Sequence, residues 1–328
     1  MKKLASILLS AILTLTLALS LVGCSTPYEG QIAIFMPDGA PALAFAKLMN
    51  DENQLGKENL TYNVVDANNI KNYIANGSAT AALMPVNLAV KLCGNGEKYK
   101  LLSVNTHGNL YVLSKQTPDG INSLKGKKVG VVNLANVPGL TFKAILNKNN
   151  IAFTEDESAH TGDNIFLKTV QPTAIGQLLN ATDDTKLDYI VAPEPQVSKI
   201  TSSAPVIKSV FSLQQLWGEQ SYPQAVLVVK NELAKDTEFC NKLLSALDEG
   251  ASWVKTNGAK AHATISEHCV EGYATTLVAG VLTENAITGC NIKVVKANAM
   301  KETIKDYMAK INAVSATSFG TPSDAFFI

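Results

Sequence analysis

Arginine is absent: all 28 basic residues of this 328-residue chain are lysine. No planar guanidinium fork is available to clamp a carboxylate, sulfonate or phosphate, so any anion must be held by helix N-termini, amides, hydroxyls or lysine. The lysines are matched by 28 acidic residues, giving zero net charge, and a nucleic-acid partner, which calls for a basic patch or stripe, is not expected. The GxSxG, HExxH, P-loop and GxGxxG motifs are all missing. His107, His160, His262 and His268 are scattered, and His268-Cys269 is adjacent without further ligands at metal-like spacing. Of five cysteines none forms CxxC; for Cys93, Cys240, Cys269 and Cys290, a Cys269–Cys290 bridge and four unpaired thiols both remain open. No cofactor and no metal is expected, and the chain is not expected to be an enzyme.

What is present begins at the N-terminus. Met1-Lys2-Lys3 is a short cationic segment, followed by Leu4–Val22, apolar and hydroxylic without charge, flanked as a secretory signal is and not as a membrane span. It ends in Leu21-Val22-Gly23-Cys24, which resembles the bacterial lipobox. That resemblance implies removal of residues 1–23, acylation of Cys24, and a polar tether over 24–27 holding an extracytoplasmic protein to membrane lipid. No second long apolar run follows. The remaining length suits two domains, and the 46% hydrophobic content suffices for a sizeable core.

The mature chain alternates strand-like and helix-like segments. Gln31–Met36, Tyr62–Asp66, Ala81–Met84, Leu101–Thr106 and Asn109–Ser114 read as strands, with helices over Ala42–Asn50, Ile70–Asn76 and Leu88–Cys93. The pattern restarts: strands at Val129–Asn133, Ile165–Thr169, Asp188–Ala192 and Ala225–Lys230, with helices over Leu140–Asn147, Ala174–Asn180 and Gln196–Ile200. Beyond residue 230 the chain reads as helical, over Asp236–Thr256, Gly258–His268, a segment around Glu271–Glu284, and Ala297–Val314. This predicts an α/β fold, a bilobed clamshell of two doubly wound lobes with mostly parallel sheets. Two connecting strands, Asn109–Ser114 and Ala225–Lys230, join lobe 1 (28–112 plus 226–328) to lobe 2 (113–225).

Several stretches resemble the solute-binding proteins for nitrate, sulfonates, taurine and thiamine pyrimidine precursors. They are Pro37–Ala46, Met84-Pro85-Val86-Asn87, Tyr99–Ser114, Leu124-Lys125-Gly126-Lys127-Lys128-Val129-Gly130 and the tail Ser318–Phe327. The resemblance implies a type II periplasmic-binding-protein clamshell that captures a small organic solute between its lobes and delivers it to the permease and ATPase subunits of an ABC importer, acting as a monomer. Sulfonate and nitrate binders commonly use cationic side chains, and here arginine is lacking. Two alternatives are an enzyme of the same fold acting on a small heterocycle, whose known relative needs an iron-binding cysteine cluster not found here, and a sensory lipoprotein.

Ligands of open α/β sheets sit beyond the carboxyl ends of strands, where helices begin. On lobe 1 this selects Met36, Pro37, Asp38 and Gly39, then Asn87, then Thr106 and His107. On lobe 2 it selects Asn136, Pro138 and Gly139, then Thr169 and Gln171, then Glu194, set between two prolines. Tyr222 and Trp217 are candidates to stack on a planar solute. Each has a structural alternative: proline at a helix start is ordinary capping chemistry, Asp38 could cap its own helix, and the aromatics could belong to the core.

Overall fold

The structure, a computed structural model, describes residues 25–218 and 221–328; the leader 1–23 and Cys24 lie outside the described residues. Twelve strands are described: β1 Ile32–Pro37, β2 Leu60–Val65, β3 Ala81–Pro85, β4 Tyr99–His107, β5 Leu110–Ser114, β6 Lys128–Val132, β7 Phe153–Thr154, β8 Ile165–Val170, β9 Tyr189–Pro193, β10 Lys208–Ser212, β11 Pro223–Lys230 and β12 Ile292–Lys296. They form two six-stranded sheets, ordered β2-β1-β3-β11-β4-β12 and β7-β8-β6-β9-β5-β10. Within each sheet a parallel set, β2-β1-β3 and β7-β8-β6-β9, sits at one side. β1, β3, β6 and β9 are buried almost throughout, as strands covered on both faces must be, and they read as continuous apolar runs.

Helices follow these strands as α1 Ala40–Asn50, α2 Ile70–Ala75, α3 Val86–Cys93, α4 Val137–Lys148, α5 Ile175–Asn180, α6 Gln196–Ser203 and α7 Leu213–Trp217. The C-terminal part adds α8 Asn231–Ala234, α9 Thr237–Thr256, α10 Gly258–Glu267, α11 Glu284–Gly289 and α12 Ala297–Asn312. The alternating Ala42, Ala44 and Ala46 of α1 are buried; small side chains there leave room for α9 and α10, which pack on that helix. α12 reaches across from β4 to α4, so the first lobe's last long helix also touches the second lobe.

The sheets are mixed, not mostly parallel as expected. β11 runs antiparallel to β3 and β4, and β5 antiparallel to β9 and β10. These are the crossing strands, and a strand that arrives directly from the other lobe has no crossover helix to reverse it. β5 belongs wholly to the second sheet and β11 wholly to the first, so the chain crosses at Gly108-Asn109 and returns before Pro223, a few residues ahead of the junctions placed at 112/113 and 225/226.

The helix expected around Glu271–Glu284 does not form. That segment is irregular except for a 3-10 turn at Ala279–Val281, and α11 starts only at Glu284. Gly272 sits at φ 77°, a left-handed conformation that ends helical propagation. Beyond it the Thr276 N–H donates to the Asp38 carboxylate, a tertiary partner in place of a helical carbonyl. The short elements β10, β12, α7 and α11 carry too little periodicity to be read from sequence.

Candidate functional site

A cavity of about 550 Å³ lies between the lobes at the carboxyl ends of β1, β3, β4, β6 and β9, within the usual ligand-pocket range of roughly 300–1,000 Å³. Helix starts contribute to its wall through Gly39-Ala40, Pro85, Asn136-Val137 and Pro195-Gln196. Their N-cap residues Gly39, Pro85, Asn136 and Pro195 make no side-chain cap hydrogen bond. First-turn N–H groups carry partial positive charge, so the starts of α1, α3 and α4 can hold an electronegative group without arginine, while at α6 the Ser198 N–H already donates to Glu194.

Of the residues singled out from sequence, Pro37, Asp38, Gly39, Thr106, Asn136, Pro138 and Glu194 line this cavity. The others do not. Met36 is fully buried in the core beneath α1, because the strand pleat turns it away from its neighbour Pro37. Asn87 is fully buried, and neither of its amide atoms has a hydrogen-bond partner; Pro85 and Leu88 take the cavity-facing places of that turn. The His107 ring lies 3.1 Å from the Lys293 carbonyl oxygen. Gly139 is a packing glycine: a Cβ there would sit 1.9 Å from the Leu134 carbonyl oxygen. Thr169 and Gln171 are exposed, while Pro172 after them reaches the cavity.

Tyr222 is completely buried, stacked on Tyr307 of α12 with ring centroids 6.0 Å apart and met edge-on by Trp217 at 5.6 Å. Tyr307 in turn shares a 2.7 Å hydroxyl contact with Thr141 of α4. These aromatics pack on one another behind the crossing and are not part of the cavity wall. Cys93, Cys240, Cys269 and Cys290 are unpaired in the structure, and no Cys269–Cys290 bridge is formed.

No protein-family model matches the chain, and no curated protein matches it. Solved structures do match. An ABC transporter protein from Parabacteroides distasonis superposes at a TM-score of 0.69 with 18% identity, over 90% of this chain and 98% of that one. The aliphatic sulphonate-binding protein SsuA of Escherichia coli gives 0.66 with 10% identity, over 90% and 91%. The alkanesulfonate-binding SsuA of Xanthomonas axonopodis pv. citri, bound to MOPS, gives 0.61 with 11% identity, over 92% and 99%. The fold is that of the periplasmic binding proteins.

In this periplasmic-binding-protein fold the two carboxylates on the cavity wall are already engaged. Asp38 accepts four hydrogen bonds, from the Thr275 hydroxyl at 2.7 Å, the Tyr273 hydroxyl at 3.2 Å, and the Thr276 N–H and hydroxyl at 2.6 and 2.7 Å. Glu194 accepts from the Ser198 N–H at 3.0 Å and its hydroxyl at 2.9 Å, closing the first turn of α6. Burial pushes the Glu194 carboxyl above its ordinary value, and the Ser198 donors partly offset this. The cations on the wall are Lys71, Lys91 and Lys199. Lys91 sits 5.7 Å over the Phe319 ring, and Lys199 donates to the Thr276 carbonyl at 3.4 Å.

Besides the lysines and Leu88 already named, sequence reasoning missed residues at the crossings and in the C-terminal part. Asn109 and Gln224 stand beside each other where the chain crosses, the Asn109 N–H donating to Gln224 Oε1 at 3.1 Å, and both line the cavity. So do Phe319 and the irregular segment Thr276–Leu282. Among the described residues, no group of three His, Cys, Asp or Glu could hold a metal ion, and no helix is long and apolar enough to cross a membrane.

Proposed function

We propose that the protein is an extracytoplasmic solute-binding lipoprotein, anchored through Cys24, that captures a small organic solute between its lobes and hands it to the permease of an ABC importer. The single observation that carries this is the interlobe cavity on which helix starts from both lobes converge. Such a site grips a ligand from two sides, and closing the lobes over it is the hinge motion by which ligand occupancy is signalled to a partner. Solved relatives of the same fold are described as components of ABC import systems, including one from Staphylococcus aureus, which supports the same reading. The cavity wall offers amides, hydroxyls and helix-start N–H groups, with Thr106, Asn109, Asn136 and Gln224 placed to orient a polar group and Glu194 held by Ser198 at the edge.

The test is ligand retention. Mass spectrometry of the protein purified from its native cells should find one small molecule at unit stoichiometry. Re-addition to the stripped protein should reduce the radius of gyration and return the molecule unchanged. Turnover of the molecule would move the reading to an enzyme of this fold; absence of any ligand-dependent compaction would overturn it. For the anchor, Cys24→Ser should shift the protein from the membrane fraction to the soluble one.

A further inference from the structure

The irregular segment between α10 and α11 runs along one side of the cavity and supplies Leu277, Val278, Val281 and Leu282 to its wall. An irregular run of chain holds such a shape only if something outside it does the holding. At its start, the Asp38 carboxylate takes four hydrogen bonds from Tyr273, Thr275 and Thr276, all within 3.2 Å. At its far end the backbone of Leu282 closes onto Gly258, where a Cβ would stand 2.0 Å from the Leu282 carbonyl oxygen. Asp38 itself sits between β1 and the first turn of α1, so the segment is hung from the same turn that offers a helix start to the cavity. Val278 is 42% exposed and faces the cavity.

We propose that residues 275–282 form a specificity strap presenting an apolar wall to the solute, with Asp38 as its positioning residue, so that the solute carries an alkyl or aryl body and is not a small inorganic ion. This rests on the reading of the cavity as a solute site. The polar end of the solute faces the helix starts and Thr106, Asn109 and Gln224, while the apolar body lies against the strap. Leu88 and Phe319 extend the apolar surface from elsewhere in the first lobe. Asp38 uses Oδ2 for three of its four hydrogen bonds and Oδ1 for the Thr275 hydroxyl, so its carboxylate is committed chiefly to the strap.

The experiment uses the full mature chain and linear C2–C8 series bearing sulfonate, carboxamide or ammonium head groups, titrated by calorimetry. Within the head-group series that binds, affinity should rise about fourfold per added methylene over the first few carbons. Val278→Ser, a change at an exposed position, should flatten that increment. Asp38→Asn should flatten it too, and should speed amide hydrogen exchange over 275–282 while leaving β1 and α9 protected. The exchange arm needs no ligand and separates local release of the strap from general unfolding. Binding that is independent of chain length, or inorganic nitrate or sulfate binding as tightly as the longer organic members, would overturn the strap while leaving the solute-binding reading standing. Unchanged exchange over 275–282 in Asp38→Asn would overturn the positioning role. Failure of every series, with no solute found in the native protein, would overturn both readings together.

Discussion

The hydroxyl of Tyr111, on β5 of the second lobe, donates to the carbonyl oxygen of Gly289, on α11 of the first, at 3.2 Å. The contact stands just past the point where the chain crosses between lobes, and Glu194 packs against the same glycine. A Cβ at Gly289 would lie 2.9 Å from Glu194 Cγ and 3.3 Å from the Tyr111 hydroxyl oxygen. Gly289→Ala should therefore wedge the lobes apart, costing about 1–3 kcal/mol in denaturant unfolding and enlarging the ligand-free radius of gyration. If neither quantity moves, the close approach does not set the lobe separation.

Glu194 gives a pH signature. Its folded-state pKa lies above the ordinary 4.5, chiefly because burial penalises the charged form. Folding thus favours the protonated acid, so this contribution is complete below about pH 4.5 and is lost as pH rises through the raised value. The difference in stability between the native chain and Glu194→Gln should change in that window and level off above it. A difference curve that is flat from pH 4 to pH 8 would remove burial as the governing influence on this group.

His107 predicts a change of the opposite kind. Burial lowers its pKa below 6.5, against the raising effect of its hydrogen bond to the Lys293 carbonyl. The neutral ring, with Nε2–H donating to that carbonyl, is the folded form, and its contribution is present above pH 6.5 and lost as pH falls through the lowered pKa. Thermal unfolding between pH 5 and pH 8 should show a smaller acid loss in His107→Asn than in the native chain; an equal loss would assign the acid sensitivity elsewhere.

Tyr222 is expected to matter for stability and not for solute stacking. Its ring is fully buried against Tyr307 and Trp217, so Tyr222→Ala should cost about 3–5 kcal/mol. Tyr222→Phe keeps the ring contacts and should leave affinity for any bound solute within about twofold. A selective loss of affinity in the phenylalanine variant would return the hydroxyl to the binding site.

The thiols should be inert in the folded protein. Burial pushes Cys93 up to about 12 and Cys240 up to about 11, and Cys290 is raised well above its ordinary value. The thiolate is the reactive form, so at pH 8 a thiol reagent should label these three only after denaturation, with Cys269 as the first to react when folded. Rapid labelling of Cys93 or Cys290 in the native state would contradict this.

The alternation of strand and helix, the restart after residue 124 and the helix starts at Pro37-Asp38-Gly39, Asn136-Val137-Pro138 and Glu194 were all legible in the sequence. Each is a local pattern: a buried parallel strand needs a continuous apolar run, and a helix start needs particular residues within one turn. The tertiary structure alone decided which of those turns open on the cavity and which are packed away. Met36 and Asn87 differ from their lining neighbours only in the direction a strand pleat or a helix face points them, and Tyr222 found its stacking partner on α12, 85 residues further along. The strap was invisible for the same reason. Its helical composition lost to Asp38, whose hydrogen bond to the Thr276 backbone spans 238 residues, and the Tyr111–Gly289 contact spans 178. Periodicity reports what a residue shares with the next turn of its own element; it carries no record of a carboxylate arriving from the other end of the chain, and here that distant partner sets the shape of the cavity wall.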